Sequence, residues 1–331
     1  MTPKLSIITP VKDQEKHIRE CITSAQEQSF TNWEWIIIDD ESKDNTVEII
    51  QEYQAFDSRI NLLKNKGKGI IHALQLAFAN ARGEFITRFD GDDIMPNERL
   101  ELMYQAIKNS EPKTVVTGKV KYFSNGFVSN GYQAYESWLN DRIVNQDHWK
   151  WVYRECVIAS PNWMARKKDL ASISAFEELN YPEDYHLVIK WYQHGFQVKG
   201  LNQVTLNWRE HSERTSRNST HYDQEHFFRL KIDHLIRHRD KAKVVILWGT
   251  NQKAHLTASI LKGLQINFEW MDLIDKALTK EKDHIQPYRA IENHQHVLLL
   301  LAVYPPDDEK NKLETYLHSL GLFMSQDYWY L

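Results

Sequence analysis

Glu84-Phe85-Ile86-Thr87-Arg88-Phe89-Asp90-Gly91-Asp92-Asp93 is a short strand-forming run that passes directly into three acids. Aromatic and β-branched residues favour the extended chain, and a carboxylate cluster ends it because it resists burial. A second stretch has the same design: Trp33-Glu34-Trp35-Ile36-Ile37-Ile38 stops at Asp39-Asp40. In open α/β sheets, ligands bind outside the carboxyl ends of the strands, so two such clusters are expected to converge on one crevice. Either cluster alone reads equally well as a solvated turn. Two of them read as a site.

The chain on both sides supports an alternating α/β plan. Leu5-Ser6-Ile7-Ile8 is a buried-type strand, and Ile18, Cys21, Ile22 and Ala25 then recur with helical spacing. Val47, Ile50 and Tyr53 mark the next helix, Ile60 to Leu63 a strand, and Ile70, Leu74, Ala77 and Phe78 another helix. From Lys113 to Arg217 the pattern is irregular and rich in aromatics. A helix through Phe227, Leu230, Ile232 and Leu235 leads to the basic stretch Arg237 to Lys243, and strands are expected again at Val244–Trp248, Phe268–Ile274 and Val297–Tyr304. A division near residue 240 follows, giving one domain over residues 1–240 and a small Rossmann-like α/β domain over 241–331.

Composition bounds the function. With 331 residues, 42% hydrophobic and 26% charged, the chain has the make-up of a soluble globular protein. A net charge of -4 gives no footprint for nucleic acid. No apolar run approaches the roughly 20 residues of a membrane span, and no signal peptide is visible. Two cysteines, Cys21 and Cys156, fit a reducing compartment, so a cytoplasmic location is expected.

At this point the first two-thirds of the chain resembles the family-2 glycosyltransferases, which have the GT-A fold. The likeness runs over residues 4–217 and rests on motifs in the expected order. They are Ser6-Ile7-Ile8-Thr9-Pro10-Val11, the strand and loop Ile37-Ile38-Asp39-Asp40-Glu41-Ser42, the strand that delivers Asp90-Gly91-Asp92 in the manner of a DXD motif, and Tyr181-Pro182-Glu183-Asp184-Tyr185 with Gly195 after it. The expected fold is therefore a GT-A nucleotide-sugar-binding α/β fold with a mixed central sheet, followed by the Rossmann-like addition. The chain departs from the family's usual residues at Lys12, at Asp13 (commonly Asn) and at Glu41 (commonly Gly), near the donor-base pocket.

The resemblance implies an inverting, hexosyltransferase-type enzyme of surface-glycan synthesis, preferring a UDP-sugar donor and a saccharide or lipid-linked acceptor. It implies a divalent metal, Mn²⁺ or Mg²⁺, since a hard cation with oxygen ligands neutralises a leaving diphosphate. Asp92 is expected to ligate the metal, Asp90 to bind the ribose or the metal, and His211 to complete the shell. Gly91 lets the backbone approach the ligand, and Asp93 is read as a cap for the segment at Pro96 and Asn97. Pro10, Asp40 and Asp39 are placed at the nucleotide base, Lys68 (with Lys66) at phosphate, and Arg209 or Arg214 at the diphosphate. Asp184 is the expected general base, with Glu183 second. Glu183 and Asp184 also suit the start of a helix, where acids favour the dipole. Trp163 reads as an acceptor-side stacking residue or as plain core.

Beyond that domain, Gly249-Thr250-Asn251-Gln252 lacks two glycines of the dinucleotide fingerprint, and Asp275 alone does not replace them. Packing, homo-oligomer formation or docking is the expected use of this part. The basic helix end near Arg237 is either a peripheral contact at the inner membrane face or a solvated surface. Two other readings stay open at this level: a nucleotidyltransferase on a similar scaffold, and a non-catalytic scaffold that binds nucleotide-sugar.

Overall fold

The computed structural model describes residues 2–177, 180–272, 278–280, 283–294 and 296–331. The chain forms two compact units, residues 1–148 with 157–218, and residues 149–156 with 219–331.

In the first unit the order is β1 (Leu5–Val11), α1 (Ile18–Gln26), β2 (Trp33–Asp39), α2 (Thr46–Phe56), β3 (Ile60–Lys64), α3 (Ile70–Asn80), β4 (Phe85–Arg88) and α4 (Arg99–Ile107). There follow β5 (Thr114–Phe123), α5 (Asn130–Asn145), β6 (Trp163–Arg166), α6 (Lys167–Ser172), α7 (Glu183–Gln193), β7 (Gln197–Arg209) and α8 (Thr215–Asn218). The sheet runs β3-β2-β1-β4-β6-β5-β7. Strands β1 to β4 are parallel, β6 is antiparallel to both neighbours, and β5 and β7 are parallel. This is the mixed α/β sheet expected from the sequence. Residues 113–217, which looked irregular, carry three strands. The periodicity hid β6 and the first half of β5 because every residue there is buried, which erases the polar alternation of a half-exposed strand.

Parallel pairing brings the carboxyl ends of β1, β2 and β4 to one edge. The register sets Pro10 beside Ile38 and Val11 beside Asp39. Proline lacks an amide hydrogen, yet it is tolerated in this central strand because β4 pairs with β1 only from Leu5 to Ile8. Beneath the edge, Leu5, Ile7, Trp35, Ile37, Phe85 and Phe89 form a core with Ile18, Cys21 and Ile22 of α1. The buried Glu34 carboxylate ties three segments together. It accepts from Ser6 Oγ (2.7 Å), the Arg82 N–H (2.6 Å) and Arg82 Nε (2.8 Å).

The second unit contains α9 (Gln224–His238), β8 (Val244–Trp248), α10 (Gln252–Gly263), β9 (Glu269–Asp272), β10 (Leu278–Lys280), β11 (Asp283–Pro287), β12 (Val297–Leu301), α11 (Asp307–Ser319) and β13 (Tyr328–Tyr330). Its sheet order is β10-β11-β9-β8-β12-β13, parallel apart from the β10–β11 pair. Helix α9 packs on α10 and so belongs with this unit. After β8 the Asn251 side chain accepts the Ala254 N–H (3.0 Å), capping α10 at the place where a dinucleotide fold would seat pyrophosphate. Trp270 Nε1 donates to the Gly249 carbonyl at 2.6 Å, closing the same turn. Asp275 lies outside the described residues. No helix among the described residues is long and apolar enough to cross a membrane.

Candidate active site

One acid after β4 and one at the start of α7 meet on one arginine. Arg88, the last residue of β4, is nearly buried. Its Nε and Nη2 donate to the two Asp90 oxygens at 2.8 and 3.3 Å, and its Nη1 donates to Glu183 Oε1 at 3.0 Å. Burial works against the guanidinium charge, but Asp90 and Glu183 outweigh it and hold the pKa above its ordinary value. Arg88 thus brings Glu183, 95 positions away, into one site with Asp90.

Asp184 lies next to Glu183 but has no ion-pair partner of its own among the described residues. It accepts the Tyr185 N–H at 2.8 Å. Burial, and then the neighbouring Glu183 charge, push its carboxyl up to about 7, with Arg88 pulling the other way. Glu183 is thereby committed to Arg88, and Asp184 is left as a carboxylate poised near neutrality. That is the protonation behaviour a general base needs.

Asp92 and His211 also meet, with His211 Nε2 2.9 Å from Asp92 Oδ2. Burial raises the Asp92 carboxyl, but the His211 hydrogen bond and the Arg214 charge bring it below its ordinary value. A carboxylate and an imidazole in contact suit a divalent cation that takes its remaining ligands from phosphate and water. Among the described residues no cluster of three or more metal-binding side chains forms. Asp90, with both oxygens on Arg88, is less available for that role than Asp92.

Gly91 is explained by close packing of the turn. A Cβ there would lie 3.0 Å from Val11 Cγ1 and 3.3 Å from Ile18 Cδ1, so the absent side chain lets this turn pack onto β1 and α1. Asp93 does not cap α4. Its Oδ1 accepts the Arg209 N–H at 2.8 Å, because the chain pairs Ile94 with Asn207 and so lies against β7.

The segment after β7 is pinned over this edge. Arg209 is buried and donates to the Asp92 carbonyl (2.7 Å) and to Glu20, with its guanidinium 4.6 Å from the Phe123 ring. It therefore positions the Asp92 turn in this structure instead of facing outward to a diphosphate. Arg214 packs 5.0 Å over Trp208 and bonds to Glu210, and Lys16 of the β1–α1 loop pairs with Glu213 at 2.5 Å. His17 lies against His211, ring centroids 4.7 Å apart, and burial followed by Arg209 and His211 holds it below the ordinary histidine range.

The acids after β2 are treated differently. Asp39 accepts the Ser42 N–H at 3.1 Å. Asp40 Oδ1 accepts from Asn65 Nδ2 (2.7 Å), and the Gly69 N–H reaches Oδ1 and Oδ2 at 2.9 and 3.1 Å. Asp40 thereby fastens the Asn65–Gly69 loop, on which Lys66 and Lys68 are exposed. Asp13 and Glu41 have φ of 52° and 64°. The left-handed conformation accounts for the Asn and Gly usual at these places in the resembled family. Asp13 also accepts the Lys43 N–H at 2.7 Å, so these departures concern the backbone of the loops.

One buried residue was not singled out from sequence. Arg99, fully buried at the start of α4, donates to the carbonyls of Thr205 (2.7 Å), Pro161 (2.7 Å) and Arg88 (3.3 Å), and to Asn162 Oδ1 (3.0 Å). It fixes the β4 strand end against the loop before β6. The available signal was its spacing: Arg99, Met103, Ala106 and Ile107 share the apolar face of α4. Trp163 is 2% exposed, packed edge-on against Trp191 at 5.4 Å, and also lines a small cavity beside Asp184.

Known proteins share this architecture. Crystal structures of Staphylococcus aureus TarS 1-349 with UDP-GlcNAc (TM-score 0.57, 19% identity, 78% of this chain and 71% of that one) and of the mannosyltransferase PcManGT from Pyrobaculum calidifontis with GDP-Man and Mn²⁺ (TM-score 0.54, 17% identity, 79% and 70%) have a similar fold. In sequence the chain is similar to the glycosyltransferase GlyG of Streptococcus pneumoniae serotype 4, 25% identical over 213 residues that cover 62% of this chain and 69% of that protein. The model of the family described as Glycosyl transferase family 2 matches residues 6–173, just over half of the 331. The chain belongs to glycosyl transferase family 2.

Proposed function

We propose that this family-2 glycosyltransferase is an inverting enzyme that moves the sugar of a UDP-sugar onto a hydroxyl of a saccharide or lipid-linked saccharide in glycan synthesis. The observation that carries the proposal is the Arg88 junction, which joins the donor-side acid Asp90 to Glu183 and leaves Asp184 without an ion-pair partner among the described residues and raised to about 7. TarS and PcManGT, whose folds are similar, were crystallised with nucleotide-sugars, which supports a donor of this class.

In this reading the uracil lies near Pro10 and Asp39, and its imide N–H reaches Asp40 Oδ2. An ionised carboxylate has about four acceptor positions, and the 65–69 loop uses three of those on Asp40. Lys68 reaches the diphosphate from that loop, and Gly91 lets the turn that carries Asp90 and Asp92 seat on β1 and α1. Asp92 and His211 would hold Mn²⁺ or Mg²⁺, with Asp90 next to them. When bound, the cation neutralises charge on the departing diphosphate.

Asp184 accepts the proton of the acceptor hydroxyl as that oxygen attacks the anomeric carbon from the side opposite the diphosphate. The new glycosidic bond forms as the bond to the diphosphate breaks, and the configuration inverts. Glu183 holds Arg88, so it steers the base without taking the proton. Arg209 acts on the donor side by fixing the Asp92 carbonyl.

The test is release of UDP from a panel of UDP-sugars with Mn²⁺, in the presence of saccharide acceptors. Turnover that requires the metal and disappears in Asp184→Asn supports the reading. Pyrophosphate release without free UDP would place the chain among nucleotidyltransferases, and unchanged biological activity in Asp92→Ala and Asp184→Ala would sink catalysis by this site.

A further inference from the structure

Gly69 ends the loop that carries Lys66 and Lys68, and it is held from two directions. Its N–H reaches both oxygens of Asp40, at 2.9 and 3.1 Å, which ties it to the end of β2. Toward α7, a Cβ added at Gly69 would lie 3.2 Å from Tyr181 Oη. The loop between is stiffened by its own bonds. Asn65 Nδ2 reaches the Gly69 carbonyl at 3.2 Å, Asn65 Oδ1 accepts the Gly67 N–H at 3.1 Å, and His72 Nδ1 lies 2.8 Å from the Lys68 carbonyl. A loop closed in this way shifts as one body, and Tyr181 stands against its end.

Tyr181 belongs to the acid side of the site. It precedes Glu183 by two residues and Asp184 by three, so the ring and both acids leave one short stretch of chain. Glu183 is anchored on Arg88, whereas Asp184 is met locally by the Tyr185 N–H. Burial, then the charges of Glu183 and Asp40, hold the Tyr181 phenol above its ordinary pKa. One hydroxyl thus lies within electrostatic range of the acid on the donor loop and of the acid beside the base. A general base works only when its oxygen lies about 2.6–3.2 Å from the hydroxyl it deprotonates, so a small shift of the α7 start decides whether Asp184 is in reach.

We propose that Tyr181 is a positioning residue that links donor binding to alignment of the base. A nucleotide-sugar seated on the Asn65–Gly69 loop presses Gly69 on the Tyr181 hydroxyl and so holds the start of α7, with Asp184, where the acceptor hydroxyl arrives. Tyr181 exchanges no proton in the reaction. This rests on the donor and base readings above, and adds that the base is set only when the donor is bound.

The test uses the whole protein with Mn²⁺ and a UDP-sugar and saccharide acceptor that support turnover. UDP affinity is read by calorimetry and kcat by UDP release. Tyr181→Phe, which removes only the hydroxyl, should bind UDP within about twofold of the parent and lose about tenfold in kcat, less than a misplacement of about 1 Å costs. Gly69→Ala sets a methyl against the hydroxyl, so its cost in kcat should be about threefold smaller in Tyr181→Phe than in the parent, a coupling that independent substitutions do not show. The strain of alanine at φ 88° is common to both backgrounds and cancels. Unchanged kcat in Tyr181→Phe overturns the proposal, as do additive effects of the two substitutions or a UDP affinity that falls as far as kcat/KM. If Gly69→Ala does not fold, kcat against UDP affinity in Tyr181→Phe decides alone. Any of these results with UDP still bound leaves the donor reading standing, whereas a parent protein that does not bind UDP overturns both.

Discussion

The strand ends of β2 and β4 look alike in sequence, each an apolar run stopped by acids, but the fold uses them in opposite ways. At β2, Asp39 and Asp40 are met mainly by backbone N–H groups of Ser42 and Gly69 and by the short Asn65 side chain, with Lys12 farther off at 4.0 Å. At β4, Asp90 and Asp92 are met by the side chains of Arg88 and His211. A backbone donor cannot leave without unfolding its loop, whereas a side-chain partner can be exchanged for a ligand. The β2 acids therefore build the floor of the site, and the β4 acids, with Glu183 and Asp184, form its exchangeable part.

The comparison can be broken most sharply at Asp184. Asp184→Asn should lower kcat by about 10³-fold, within the range for loss of a general base, and leave donor affinity near that of the parent protein. With the residue intact, kcat/KM should climb about tenfold per pH unit below its pKa of about 7 and level off above it, because only the carboxylate accepts a proton. Stability should show the opposite slope. The folded state holds this proton up to about pH 7 while an unfolded aspartate releases it near 4, so stability falls as pH rises between the two. Asp184→Asn should flatten that part of the profile. A pH-independent rate through this window would remove Asp184 as the base.

Next in size is Asp92→Ala. Loss of an exchangeable acid should cost about 10²–10³ in kcat/KM and change stability by less than about 1 kcal/mol, as read by steady-state kinetics and thermal melting. A large fall in melting temperature would show that Asp92 belongs with the structural acids.

Asp40→Ala should give the converse pattern. It strands the Gly69 N–H and Asn65, which costs about 1–3 kcal/mol and, at about 2–4 °C per kcal/mol for a domain of this size, should lower the melting temperature by several degrees. Donor affinity should weaken as the Asn65–Gly69 loop loosens. Loss of affinity with an unchanged melting temperature would move Asp40 to the exchangeable class.

The smallest effect is expected at Glu41, exposed and held at φ 64°. Glu41→Gly should raise stability by about 0.5–1 kcal/mol, since glycine takes the left-handed conformation without the Cβ clash, and should leave donor choice unaltered. A changed nucleotide preference would show that this loop reads the base after all.

Much of this was legible in the sequence. Runs of apolar residues ending in acids located β2 and β4, helical spacing located α1 and α3, and the order of motifs identified the family before any contact was known. These features are local, and local spacing fixes which face of an element is apolar and where the chain must turn. Sequence could not assign labour among the acids, because that depends on partners far away along the chain: Arg88 and Glu183 are 95 residues apart, and Asp92 and His211 are 119 apart. Nor could it show that Arg209 turns inward, that Asp93 leans on β7, or that Arg99 ties β4 to the loop before β6. A carboxylate's protonation and availability are set by burial and by the donors that surround it. Only the tertiary structure brings those donors within bonding distance.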